Sequence, residues 1–452
     1  MASEGLRSYL LGFSKCFRAW RHDTSHYAEQ MIKGYLLLEG DRTYANIDRK
    51  MNGMSHKNGQ NLQQFMSDSP WESAPVFSKV QGDVCLLEGM AGGSLNFDEF
   101  GDECAGTKKA GAARQYIGRL GKTELGQVAV VGSYCQNGCW VLVDAELFLP
   151  EGWFGKEKKK EWARLHIPRD TEFKTKIDLA KEQFRRALQR GLLFGVVGCD
   201  SLYGSDPSFR RTVAGAGKHY MACVKSDTAL WLENPAQHTG AGMTTAKNLA
   251  QSAVFESLVT RNGERGPLRH EYAFVPVWSK ESADKSPQCP LGHRFHSEML
   301  VIRKEHDGKV SYALSNMPCE DKQGMAEARA ERYFVERTIQ DCKSELGLDE
   351  LQALKYRALM HTLALCSVAS LYIADMKIAF RKQQQDVQAV QQVLPDLQKL
   401  PDLSLANVKE LLRAAFPLPD VSKETAVQLV VNHLFNRSRA TQSKTRKAKI
   451  LT

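Results

Sequence analysis

A chain of 452 residues, 42% apolar and 25% charged, has the composition of a folded globular protein with room for about three domains, so disorder throughout is excluded. The longest unbroken apolar run, Leu192 to Cys199, is too short to span a bilayer, and the charged opening Met1-Ala-Ser-Glu-Gly-Leu-Arg7 lacks the apolar core of a signal peptide; neither a membrane nor a secreted protein is expected. Basic residues exceed acidic ones by nine, and eleven cysteines without framework spacing read as reduced thiols of a cytosolic protein.

Leu10, Phe13, Phe17 and Trp20 recur at helical spacing, and residues 1–72 form a helical N-terminal module. Ser94–Asp98 alternates as a short strand, followed by a loop marked by Gly101 and Gly106. Gln127–Tyr134 and Cys139–Leu149 flank the turn Cys135-Gln-Asn-Gly138 and predict a hairpin. Phe173, Ile177, Ala180, Phe184 and Leu188 predict an amphipathic helix, then Leu192–Cys199 a buried strand ending at Asp200. A helix and strand follow over Pro207–Val224, closing a segment that spans 73–224. From 225 to 325 the pattern changes to irregular strands, with Tyr272–Trp278 as one. Asp307-Gly308 joins Glu298–Arg303 to Lys309–Leu314. Residues 326–347 and 351–380 are helical, within a segment 326–382. A Gln-rich link opens the last region, 383–452, which is helical with a basic tail. The order predicts an α/β fold: a mixed sheet flanked by helices, with a β-rich insertion before the last helices.

Basic charge is uneven. Val421–Thr452 holds seven Lys/Arg against one acid, and Glu151–Arg190 holds twelve against seven. Such clustering is the footprint of phosphate-backbone binding as well as of a solvated surface. Three acidic residues stand where the predicted structure changes: Asp98 and Asp200 at strand ends, and Glu336 on the helix after the β section. Hard carboxylate oxygens converging from two strands and a facing helix suit Mg²⁺ or Mn²⁺. Arg332, Glu336 and Lys343, at offsets of 4 and 7, share one helix face beside the apolar stripe Val335, Ile339, Cys342 and Leu346.

Arg332-Tyr-Phe-Val-Glu336-Arg-Thr-Ile-Gln-Asp-Cys-Lys343 resembles the Tyr-x2-Arg-x3-Glu-x6-Lys signature of DDE transposases from bacterial insertion sequences, with Arg329 where the signature has Tyr. Val197-Gly-Cys-Asp200-Ser-Leu-Tyr203-Gly204 is similar to that family's second-Asp motif. Phe97-Asp98-Glu99 with Ala113–Lys122 resembles its first-Asp region, and Leu147–Trp153 the segment closing the next hairpin. Phe100 and Cys104 depart from the family's first-Asp loop and leave Asp102 as a rival to Asp98. The resemblance, running over roughly residues 90–375, implies an RNase H-like (retroviral-integrase-like) core. It implies Asp98, Asp200 and Glu336 as catalytic ligands of two Mg²⁺ (or Mn²⁺) ions, and Tyr203, Arg332 and Lys343 as DNA contacts. The implied partners are double-stranded DNA, as terminal inverted repeats and target, and a second copy of the chain, working in the bacterial cytoplasm on the nucleoid. By the same analogy residues 1–72 read the element's ends, and the tail Arg437–Lys449 binds DNA nonspecifically or stays disordered.

Two other readings stay open: a transposase-derived regulator that binds DNA without cutting, motivated by Phe100 and Cys104, and a nuclease that cuts without joining. Cys135-x3-Cys139 and Cys289–His293 have spacings tolerable for zinc, yet neither finds a matching second pair, and idle thiols are the better reading.

Overall fold

Two strands dense in Val, Leu and aromatic residues, β3 (Lys122–Gln136) and β4 (Cys139–Leu147), meet at Asn137-Gly138. Positive φ at both residues, 50° and 70°, gives the primed turn whose twist matches that of the strands it joins. β1 (Gly92–Glu103) pairs antiparallel with β3, and β2 (Ala113–Ile117) pairs with the first half of β3. On its other edge β1 pairs in parallel with β5 (Phe194–Cys199), and β5 in parallel with β6 (His219–Val224). The structure, a computed structural model, describes residues 2–52, 58–238, 240–263, 266–280, 294–305, 307–350, 353–384 and 403–416, with isolated positions 427, 431, 438 and 442. The Gln-rich link, the basic tail and the Cys289–His293 pair lie almost wholly outside the described residues.

The β-rich section is continuous with this sheet. β7 (Ala229–Trp231), β8 (Met243–Thr245), β9 (Glu256–Gly263), β10 (Gly266–Lys280), β11 (Phe295–Lys304) and β12 (Val310–Ser315) pair antiparallel among themselves, and β12 pairs with β6 through Tyr312–Ser315. Among the described residues this makes one twelve-stranded mixed sheet in the order β8-β7-β10-β11-β12-β6-β5-β1-β3-β2, with β9 on β10 and β4 on β3. The β section has its own small cores. Leu230, Val277, Leu300 and Leu314 pack on one face, and Met221, Tyr272, Val301 and Met325 on the other.

The N-terminal helices share the main core. Leu6, Phe13, Met31, Tyr35, Phe65 and Trp71 cluster with Val130, Val143 and Leu363. Arg42, fully buried, fastens them to the far end of the fold: its Nη2 donates to the carbonyls of Leu38 (2.8 Å) and Glu345 (2.9 Å), and its Nη1 pairs with Glu350. The helical periodicity through Trp20 is not realised. The first helix ends at Leu11, and Trp20 stands exposed in a turn with φ 56°. Phe17 is nevertheless buried, so the spacing reported burial and not helix.

α1 (Lys176–Gln189) starts at a Thr175/Asp178 capping box, after Phe173. α2 (Pro207–Gly215) follows β5. The stretch expected as one helix over 326–347 is two, α3 (Lys322–Glu331) and α4 (Tyr333–Ser344), with the break at Arg332. α5 (Tyr356–Gln384) lies against β4, and Ser367 and Ser370 tie it to the backbone of Leu142. Its Tyr356–Lys382 span, interrupted by polar residues, is long and apolar enough to cross a membrane, at mean hydropathy 1.6; 72% of its apolar window is buried inside the protein.

Candidate active site

The parallel ladder between β1 and β5 ends at Phe97 opposite Cys199. Asp98 and Asp200 are the next residues, so two carboxylates leave neighbouring parallel strands at their carboxyl ends, where α/β sheets gather ligands. Asp98 lies in mid-strand, because β3 continues to pair with β1 as far as Glu103. The strand therefore runs past its expected end to Glu103, with Phe100 buried in it and Gly101 part of it, while Gly106 lies in the loop that follows, as expected. Asp200 caps the one-turn helix 201–204, its Oδ1 accepting from the N–H groups of Leu202 (3.0 Å) and Tyr203 (3.4 Å).

Glu336 stands in the first turn of α4, half-exposed. This helix is fixed to the sheet face by the hydroxyl pair Thr338 and Ser133 at 2.6 Å. Arg332, at the break before α4, joins the acids: its guanidinium lies 3.6 Å from Asp98 Oδ2 and hydrogen-bonds Glu336. The seven residues from Glu336 to Lys343 advance about 10 Å along a helix, and the three from Asp98 to Gly101 advance about 10 Å along a strand. The helix runs alongside the strand accordingly. Lys343 Nζ donates to the Gly101 carbonyl at 3.0 Å and sits 4.8 Å over the Phe100 ring.

Burial, then the neighbouring Asp200, push the Asp98 carboxyl up to about 7, with Arg332 and the Glu99 N–H acting against them. Burial also raises Asp200, against the pull of its two backbone N–H donors, Arg332 and Lys176. For Arg332, burial opposes the charge, but Cys223, Glu336, Asp98 and Asp200 outweigh it and hold the guanidinium above its ordinary value. Asp102, four residues further along β1, has Lys343, Asp349 and Lys109 as its charged neighbours. The geometry thus groups Asp98, and not Asp102, with Asp200 and Glu336.

An aspartate in an unfolded chain ionises near about 3.9, so between about pH 4 and pH 7 the unfolded state releases its proton before folded Asp98 does. Stability contributed by this residue therefore falls as pH rises through that window and stays low above it. Asp98→Asn is expected to raise the melting temperature of the metal-free protein at pH above 7 and to leave it unchanged near about pH 4. Thermal scans of both proteins at the two pH values check this.

Tyr203 differs from its expected place on the DNA-facing surface. Its side chain is fully buried, packs 6.0 Å from Phe209, and leaves its hydroxyl without a hydrogen-bond partner. Burial first, then Glu99, Asp200 and Asp98, hold that phenol well above its ordinary pKa. Gly204 beside it is required by space. A Cβ there would strike the carbonyl oxygen of Cys223 and stand 2.9 Å from the Ala222 carbonyl carbon, both backbone atoms of β6. Gly204→Ala is expected to lower stability by about 1–3 kcal/mol, the cost of overpacking. Urea denaturation measures that loss, which displaces the loop carrying Asp200.

Sequence reasoning missed the Lys176–Glu99 ion pair (2.8 Å) on the opposite face of β1, and missed Arg261, Arg303 and Arg329 beside Glu336. No short-range spacing marks Arg261 and Arg303, which arrive on separate strands, whereas Arg329 stands at the Tyr position of the helix signature. Cys135 and Cys139 are buried and neither forms a disulfide. Among the described residues no three His, Cys, Asp or Glu side chains stand together as a ready-made ion site. Arg332 occupies the space between Asp98 and Glu336. Asp98 and Asp200, with Arg332 and Lys176 as their cationic neighbours, offer hard oxygen donors that suit a divalent cation.

The mixed sheet thus carries Asp98 and Asp200 on neighbouring parallel strands, with Glu336 on a helix that packs on its face. Residues 12–264, more than half of the chain, match the DDE superfamily endonuclease family, and the chain belongs to that family. The matched span holds Asp98 and Asp200 and ends before Glu336. The chain is also similar to a probable transposase for insertion sequence element IS701 from Microchaete diplosiphon, 28% identical over 225 residues. That alignment takes in 47% of this chain and 54% of the relative, so the chain spans about half the length of the curated relative it matches.

Proposed function

We propose that the chain is an insertion-sequence transposase that cleaves DNA at the ends of its element and joins the freed 3′-OH to target DNA. The observation that carries this reading is that Arg332 bridges Asp98 and Glu336 while Asp200, on the neighbouring parallel strand, acts electrostatically on both Asp98 and Arg332. Family membership and the similarity to the IS701 transposase support it. The fold proposed for the core is RNase H-like, of the Tyr-x2-Arg-x3-Glu-x6-Lys branch. Asp98, Asp200 and Glu336 would hold two Mg²⁺ or Mn²⁺ ions. When bound, such a pair supplies an activated water and stabilises the leaving oxygen of a phosphodiester.

The chain's own residues set up that chemistry. Arg332 neutralises the carboxylates in the free protein, and its guanidinium fork would suit a DNA phosphate at the same place. Lys343 braces β1 at Gly101, one step along the strand from the site. Positioning and charge neutralisation, rather than a protein nucleophile, carry the rate. The partners are duplex DNA and a second copy of the chain, since two ends must be joined, and the place of action is the bacterial cytoplasm.

The test incubates the full chain with Mg²⁺ or Mn²⁺ and duplexes carrying the DNA that flanks its gene. Nicked ends and joined products are expected. End-specific binding without any product would leave a DNA-binding regulator, and nicking without joining a nuclease.

A further inference from the structure

Trp20 is 89% exposed, whereas the other six tryptophans of the chain are buried or half-buried. It stands at the tip of a miniature hairpin: Arg18 pairs with Asp23 and Ala19 with His22, leaving Trp20-Arg21 as a two-residue turn. The φ of Trp20 is 56°, in the left-handed region. The first position of such a turn ordinarily falls to glycine or asparagine, because a bulky side chain there crowds its own backbone. Burial does not offset that strain, since the indole lies in water.

The base of the hairpin is fixed. Phe17, directly before it, is buried and packs edge-on against Trp71 at 5.1 Å. The Phe17 carbonyl accepts from the N–H (3.2 Å) and from the hydroxyl of Thr24, directly after the hairpin. The indole is thus held outward on a rigid support. Its surroundings are cationic: Lys15, Arg18, Arg21 and His22 are all exposed, and Asp23, opposite Arg18, is the one acid between Ser14 and Ser25. A ring that stacks on bases, with guanidinium groups beside it for phosphates, is a nucleic-acid contact. The bases of a duplex cover one another's faces, so a ring on a narrow tip reaches them by opening a base step.

We propose that Trp20 is a wedge that enters the base stack of bound DNA at one step, with Lys15, Arg18 and Arg21 on the flanking phosphates. The inference rests on the DNA-cleavage reading and adds to it a contact that deforms the DNA, carried by the N-terminal helical module and separate from the carboxylate site. It also gives the strained tryptophan a function.

The experiment measures binding of a short duplex, carrying the DNA that flanks the gene, to the full chain and to Trp20→Gly and Arg21→Gln over a series of salt concentrations. Trp20→Gly is expected to melt no lower than wild type, because glycine accepts the positive φ. It should nevertheless bind about 5- to 150-fold more weakly, the range for one lost stacking contact. That loss is the same at every salt concentration, since the indole carries no charge, whereas Arg21→Gln flattens the slope of log affinity against log salt by about 0.9. A single mismatch moved along the duplex then locates the wedge. At one position it tightens wild type, because an unpaired step opens more easily, and it leaves Trp20→Gly unaffected. Wild-type affinity in Trp20→Gly overturns the wedge. If that variant fails to fold, the mismatch scan on wild type decides, and a scan in which no position matters also overturns it. Cutting is read separately. Mismatch-sensitive binding through Trp20 in a protein that never cuts would sink the transposase reading and keep the wedge, whereas cutting by a protein indifferent to Trp20 would do the reverse.

Discussion

Asp98→Asn, Asp200→Asn and Glu336→Gln are each expected to leave DNA-end binding intact and to lower metal-dependent nicking by about a thousandfold or more, while Asp102→Asn keeps most of the activity. The size follows from the proposed reaction: with no side chain as nucleophile, catalysis would depend on electrostatic groups whose single loss typically costs about two to three powers of ten. Removing a carboxylate that holds a divalent ion is at the upper end of that range. Asp102 is spared because its neighbours are Lys343, Lys109 and Asp349, a set that shares no charge with Asp200 or Glu336. Gel assays of nicking and of end binding on the same preparations separate the outcomes. Loss in Asp102→Asn with activity retained in Asp98→Asn would move the first ligand along the strand and require β1 to shift its register against β5. The aspartate variants should gain stability at neutral pH as they lose activity, because burial raises both pKa values and the neighbouring Asp200 raises Asp98 further. A variant that loses both was broken by unfolding and says nothing about the site.

The parts of the site readable in the sequence were those fixed by local geometry. The Arg332–Glu336–Lys343 spacing encodes a helix laid beside a strand of matching rise, and Asn137-Gly138 encodes a turn of one handedness. What escaped was set by non-local pairing. β1 outruns the Ser94–Asp98 pattern because β3, whose identity as its partner no short window reveals, supplies hydrogen bonds as far as Glu103. The β section was expected as an insertion, and its strands are there. That β12 would lock onto β6 and make one sheet depends on residues about ninety positions apart. Trp20 shows the same limit at short range: the apolar spacing marks Leu10, Phe13 and Phe17 as buried, but the helix already ends at Leu11 and Trp20 stands exposed in the turn beyond. Tyr203 was assigned outward by resemblance, and the close packing of its helix on β6 at Gly204 turned it inward.

Glu298→Ala is expected to destabilise the fold by about 3–5 kcal/mol, the cost of stranding a buried charge. Glu298 on β11 is almost inaccessible and accepts from Arg210 Nε at 2.8 Å, from the Tyr220 hydroxyl at 2.6 Å and from the Ser279 hydroxyl. Arg210, on α2, in turn donates to the Gly204 carbonyl at 2.6 Å. One network thus ties two strands of the β section, β10 and β11, to the loop that begins at Asp200. Glu298→Gln, which keeps an acceptor and the shape, should lose less. The paired change Arg210→Met with Glu298→Leu should recover most of the stability, because apolar side chains of similar volume often replace a buried ion pair at no net cost. Denaturant unfolding measures all three. Activity discriminates further: the apolar pair no longer holds the Gly204 carbonyl, so nicking should stay depressed in a protein that melts like wild type. If nicking returned together with stability, the network would matter only for holding the sheet together. Nicking that stays low while stability returns would show that the β section helps place Asp200, and would extend the catalytic unit across the junction between β6 and β12.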